Sequence, residues 1–291
     1  MKVIGIGDNV CDKYEHLQTM YPGGQAMNFA MYATMCGAES AFLGVFGTDD
    51  VAAHNLSTLD EMGIDHSRCR IHEGKNGYAR VTLVNGDRVF LGSNKGGVTR
   101  EHPIRLDGED MAYIHTFSHV HTTNNSYLDD ELPGLKDAGL SVSYDFSKQW
   151  EDEERVKRVA PFIRYAFLSC GSMPEREIGE ICADLVSRGC NMAIATMGER
   201  GSLLFNGKEY FRREANLVQA VDTLGAGDSF ATAFLIELLR LTADKADENP
   251  ALTAGREQIM AAMTAGANLA ARVCLMHGAC EHGKQYDVSG E

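Results

Sequence analysis

A chain of 291 residues with 44% apolar side chains, only 6 Pro and 30 Gly can bury a large core, which excludes a disordered or fibrous polymer. Its formal net charge of −14 argues against nucleic acid as a partner, because an acidic surface repels phosphate backbones. ATP is not excluded, since local backbone dipoles and a divalent metal hold a nucleotide against a negative average field. The 8 Cys form no C-x-x-C pair, which argues against a zinc ribbon or a redox dithiol. The N-terminus carries no basic region followed by a long apolar stretch, and no apolar run reaches about 18 residues. The expectation is a cytoplasmic protein with reduced thiols and no membrane partner.

In chain order, Val3–Gly7 reads as a buried strand, and Gln25–Cys36 as a helix opened by a glycine pair. Ser40–Gly47 is the next strand and Asp49–Met62 the next helix. Further strands fit His115–His121, Leu140–Asp145, Tyr165–Ser169, Asn191–Thr196 and Gly201–Asn206. Helices fit Leu128–Ala138, Asp152–Val159, Glu175–Ser187, Gly225–Leu239 and Glu257–His277, and residues from Glu281 onward read as a solvated tail. Continuous apolar strands alternating with amphipathic helices predict a mostly parallel sheet covered by helices. One segment breaks the rhythm: Tyr78–Val84 and Arg88–Gly92 flank Asn85-Gly86-Asp87, a hairpin signal. With Asp12–Tyr21 it can form a small projecting sheet, either a lid or a surface hairpin without function.

The strongest chemical signal is Asp222-Thr223-Leu224-Gly225-Ala226-Gly227-Asp228-Ser229-Phe230, followed at once by an apolar helical run. Two glycines around one alanine let the backbone turn tightly and present N–H groups at a helix N-terminus, where an anion is favoured. Asp228, in the first turn, then stands beside a bound phosphate and can take a proton from an attacking hydroxyl. A plain N-capped helix also fits these residues. A second motif, Gly23-Gly24-Gln25-Ala26-Met27-Asn28, opens the first helix. Its glycines admit a ligand close to the backbone, and Asn28 offers donor and acceptor to sugar hydroxyls. A tight turn before a core helix is the alternative reading.

The two motifs in this order, about 200 residues apart, resemble the ribokinase-like (PfkB) family of carbohydrate kinases over essentially the whole chain. Thr196-Met197-Gly198-Glu199-Arg200-Gly201 is similar to the family's T-x-G-x-x-G nucleotide turn. The resemblance implies one kinase domain over residues 1–291, with a three-layer α/β/α core and a small β-sheet lid from about residues 12–21 and 75–95. It implies ATP and Mg²⁺, Asp228 as catalytic base, and Gly225, Ala226 and Gly227 as the anion hole. Thr196, Gly198 and Gly201 would contact the nucleotide, and Asp12, Gly23, Gly24 and Asn28 the sugar. K⁺ beside Asp222 and Thr223 and a homodimer formed through the lid are also implied.

Gly7-Asp8-Asn9-Val10-Cys11-Asp12, Ser143–Trp150 and Tyr165–Ser169 are similar to the bacterial fructoselysine 6-kinase subgroup, and His277-Gly278-Ala279 fits it. Asp12 can accept two sugar hydroxyls, while Asp8 orders the strand end. A fructosamine also carries an ammonium, for which Asp12, Asp145 and Trp150 are candidates, with ordinary packing equally open for Trp150. Other sugar or nucleoside kinases and a non-catalytic sensor remain alternatives. The family's N-x-x-E stretch is replaced by Cys170–Glu177, leaving Glu175 or Glu177 to reach a metal through water, or neither. Gly5-Ile6-Gly7 lacks the third glycine of a dinucleotide fingerprint, and no P-loop sequence is present. His115, His119 and His121 would share one strand face but lack a fourth metal ligand.

Overall fold

The computed structural model describes residues 1–84, 87–171, 173–243 and 249–286. The strands in chain order are β1 (Lys2–Gly7), β2 (Val10–Tyr14), β3 (Thr19–Gly23), β4 (Glu39–Phe46), β5 (Arg70–Ile71), β6 (Gly77–Val84), β7 (Asp87–Ser93), β8 (His119–Thr123), β9 (Val142–Ser147), β10 (Tyr165–Ser169), β11 (Met192–Thr196), β12 (Ser202–Phe205), β13 (Tyr210–Arg213) and β14 (Lys284–Gln285). One sheet runs β13-β12-β11-β10-β9-β8-β1-β4-β5. It is parallel from β5 to β11, and β12 and β13 close one edge antiparallel.

Side chains alternate between the faces of a strand, and the two neighbours Val3 and Ile4 separate accordingly. Ile4 and Ile6 join a core with the helices Leu132–Asp137, Glu153–Val159 and Glu175–Ser187. Val3 joins a core with the helices Gln25–Met35, Ala226–Leu241 and Arg256–Val273 on the other face. The result is the three-layer α/β/α architecture, with buried apolar runs on both sides of the parallel strands.

The second sheet runs β14-β3-β2-β6-β7 and rises from the C-terminal end of β1. Val84 pairs with Asp87, and the turn residues Asn85 and Gly86 lie outside the described residues. Asp12–Tyr21 supplies two strands of this sheet, with Asp12 opposite Tyr21.

Two sequence expectations need correction, and one strand has no counterpart among them. His115 is not on a strand: an Asp107–Asp110 capping box starts a helix at Gly108–Ile114, and β8 begins only at His119. The stretch after Glu281 is not wholly a solvated tail, because Lys284 and Gln285 pair with Met20 and Thr19 and cover the edge of β3. The strand Tyr210–Arg213 is too polar to stand out as a buried run, and its register against β12 forms it. No helix among the described residues is long and apolar enough to cross a membrane, and all eight cysteines are free.

Candidate active site

The helix Gln25–Met35 starts against the end of β1. Gly24 has φ 99°, and a Cβ there would lie 2.7 Å from both the Asn9 Cα and the Asp8 carbonyl oxygen, so only glycine fits. Asp8 accepts the Gln25 amide at 2.8 Å and the Ala26 amide at 3.2 Å, which satisfies donors left open at a helix start. It also accepts the Thr123 and Ser126 hydroxyls, so its role is to order the strand end. Asp12, on β2, is buried, and its carboxylate lies where a Cβ on Gly23 would be 2.5 Å away. The absent side chain at Gly23 is what makes room for it.

One helical turn in, the buried Asn28 donates from Nδ2 to Asp228 Oδ2 at 2.7 Å. Its Oδ1 is buried and has no hydrogen-bond partner among the described residues. Asp228 stands in the first turn of Ala226–Leu241, behind Gly225 in the left-handed region at φ 76°. Residues 200 apart in sequence thus meet at the starts of two helices. Burial pushes the Asp228 pKa up to about 6, the Asn28 hydrogen bond opposes that shift, and the Asp8 charge adds to it. The Ala226 amide turns back on the Thr223 carbonyl at 3.3 Å. Asp145 lies in the same charged neighbourhood, buried at the end of β9. Burial and then the Asp228 charge push its pKa up to about 8, while the Ser147 amide donates to its Oδ1 at 2.6 Å.

A cleft of about 460 Å³ opens beside this helix start. Thr196, Gly198 and Gly201 line one wall, Thr223 and Gly227 the helix entrance, and Leu217 supplies an exposed apolar surface. A cavity of about 540 Å³ opens at the N-terminal ends of the strands, among Met1, Ser118, Ser141 and Arg164. Ligands of open α/β sheets bind at the opposite, C-terminal ends, which makes the smaller cleft the candidate site.

Several expected residues fall elsewhere. Glu175 accepts from Arg212 Nε at 3.1 Å on the surface and does not line the cleft. Trp150 packs against the core and donates to the Ser169 carbonyl at 3.1 Å, which is the packing role. His119 and His121 are buried on β8, each bonded to Ser143, and burial lowers both pKa values, His121 to about 3. Both stay neutral structural groups. The Asp222 carboxylate, beside which the resemblance implies a cation, accepts the Leu224 amide at 3.0 Å, the Gly278 amide at 3.3 Å and the Tyr14 hydroxyl. Tyr14 and the 214–220 wall escaped sequence reasoning. The only trace of that wall is the unpatterned apolar pair Leu217-Val218, which has no core to enter.

The model for the pfkB family of carbohydrate kinases matches residues 2–141 and 169–284. The chain is 36% identical over 288 residues to a fructosamine kinase, FrlD, of Bacillus subtilis (strain 168), covering 98% of this chain and 95% of that one. It is 34% identical over 230 residues to a fructoselysine 6-kinase of Escherichia coli (strain K12), covering 79% of this chain and 86% of that one. A ribokinase structure from Giardia lamblia superposes with a TM-score of 0.79 at 18% identity, over 96% of this chain and 94% of the other. Gly23, Gly24, Asn28 and Asp228 all fall within the matched segments, and the chain belongs to the pfkB family of carbohydrate kinases.

Proposed function

We propose that this enzyme transfers the γ-phosphoryl group of ATP to the 6-hydroxyl of fructoselysine or a related fructosamine, with Asp228 as the base. The observation that carries the reading is the Asn28–Asp228 hydrogen bond beside the Gly227-lined cleft. The bond fixes a buried carboxylate, with its pKa raised to about 6, in the first turn of a helix whose Gly227 lines the cleft.

The sugar lies against Asp12, Gly23, Gly24 and Asn28, and the open Asn28 Oδ1 accepts one of its hydroxyls. ATP lies against Thr196, Gly198 and Gly201, with its terminal phosphates towards Gly225, Ala226 and Gly227. Asp228 takes the hydroxyl proton as the oxygen attacks phosphorus, and the helix-start amides stabilise the charge on the transferring group. Magnesium enters as Mg-ATP and neutralises phosphate charge. Glu175 is not a ligand in this reading, because Arg212 holds it. Potassium is not part of it either, because the Asp222 carboxylate is ringed by donors.

The chain acts as one kinase unit in the cytoplasm, where its free thiols stay reduced. Its smaller sheet serves as a lid that excludes water from the transfer. Strand β7 ends that sheet with Val89, Phe90 and Leu91 exposed, which supports pairing with a second copy of the chain.

A coupled ADP-release assay with Mg-ATP tests the reading across fructoselysine, fructose, ribose and adenosine. Preference for fructoselysine is expected. Preference for a plain sugar or nucleoside keeps the kinase and rejects the fructosamine. No ADP release with any sugar would leave a binding protein on a kinase framework.

A further inference from the structure

The resemblance implies a monovalent cation at the Asp222 carboxylate, where the structure gathers hydrogen-bond donors. A carboxylate offers roughly four lone-pair positions. Three are met here: Oδ1 by the Leu224 amide at 3.0 Å, and Oδ2 by the Gly278 amide at 3.3 Å and the Tyr14 hydroxyl. The Cys274 carbonyl, held against the same residue, accepts the Val221 amide at 2.8 Å and the Asp222 amide at 3.3 Å. A cation needs converging oxygen lone pairs, whereas these oxygens converge on hydrogens.

The hydroxyl that completes the ring comes from the smaller sheet. Tyr14 is 3% exposed on β2 and packs edge-on against Tyr21 at 5.2 Å. Both rings sit with Val81 against Leu224, inside the 222–225 loop itself. Tyr21 in turn lies on Gly278, where a Cβ would come within 2.5 Å of its ring. The phenol is therefore fixed by packing on both sides and cannot swing away to open the carboxylate.

We propose that Tyr14 is a positioning residue that replaces the monovalent cation: its hydroxyl holds Asp222, Asp222 holds the loop leading into Gly225, and phosphoryl transfer proceeds without K⁺. The hydrogen bonds take over two tasks a cation would perform, partly offsetting the carboxylate charge and fixing the loop ahead of the anion hole. They also tie that loop to the lid, so lid and anion hole are ordered together.

The test compares initial rates with saturating Mg-ATP, supplied as a potassium-free salt, and whichever sugar supports the fastest turnover. Choline, sodium and potassium chlorides are exchanged at constant ionic strength. For the unsubstituted enzyme, kcat should differ by less than threefold among the salts; a larger rise with K⁺ overturns the proposal whatever the variant does. Tyr14→Phe keeps the ring and removes the donor. Its kcat in choline should fall tenfold or more with little change in the KM for sugar, and K⁺ should leave it low, because the Leu224 and Gly278 amides still occupy the carboxylate. Parent-like kcat in choline overturns the proposal, as does an effect confined to the KM for sugar. A thermal melt of Tyr14→Phe separates misfolding from misplacement.

Discussion

As the proposed base, Asp228 meets two opposed demands. It must be ionised to accept a proton, yet burial pushes its pKa up to about 6 and the Asn28 N–H pulls it back. Asp228→Asn keeps the shape and removes the base, so kcat should fall roughly a hundredfold or more; near-parent turnover would reject the assignment. The base is competent above its pKa, so kcat/KM should decline as pH drops through about 6. Asn28→Leu removes the hydrogen bond that lowers this pKa, so the acid limb of the profile should move to higher pH. A limb that stays put would show that Asn28 does not tune the base. Stability follows the same shifts. Both Asp228 and Asp145 are raised from 3.8, so the folded state holds their protons more tightly than the unfolded chain. That contribution is full below about pH 3.8 and is lost as pH rises through about 6 and about 8. Asp145→Asn cannot ionise, so its denaturant midpoint should decline less between pH 5 and 8 than the parent's. Equal slopes would mean that Asp145 titrates as an ordinary carboxyl.

The helix start at Gly225–Gly227 offers a contrast between two glycines of one element. Gly225 is left-handed at φ 76°, and a Cβ would sit 2.2 Å from the Tyr32 hydroxyl. Gly225→Ala should cost about 1–3 kcal/mol and displace the amides with it. At Gly227 a Cβ meets nothing within 4 Å, yet the residue lines the cleft. Gly227→Ala should therefore leave the melting temperature intact while raising the KM for ATP or lowering kcat. If Gly227→Ala instead behaves as the parent in turnover, the phosphate is not at this helix start.

Across the whole molecule there are two sheets: the large one aligns strand ends, and the small one is the proposed lid over them. Its outer strand β7 leaves Val89, Phe90 and Leu91 exposed in a row, Phe90 at 63%, which is the edge proposed to pair. Light scattering at micromolar concentration should return a dimer for the parent and a monomer for Phe90→Glu. A monomeric parent removes the proposed pairing and leaves the chemistry untouched.

The sequence by itself determined what depends on local spacing. Val3–Gly7 and Tyr165–Ser169 are strands because their apolar residues run unbroken, and Glu175–Ser187 is a helix because its apolar residues recur every three or four positions. The same local logic marked Gly23-Gly24 and Gly225–Gly227, since tight turns and helix starts are built from neighbours in the chain. What only the tertiary structure decided depends on residues far apart. Glu175 had the right chemistry for a metal, but β13 brought Arg212 to it first. His115 matched the alternation of His119 and His121, but a capping box eight residues earlier turned its segment into a helix end. Lys284 and Gln285 look solvated alone and become a strand only because β3 offers an open edge. Tyr14 and Asp222 are 208 residues apart, and no periodicity connects them. Their contact exists because the small sheet folds down onto the loop before Gly225, which is a property of packing and not of any segment.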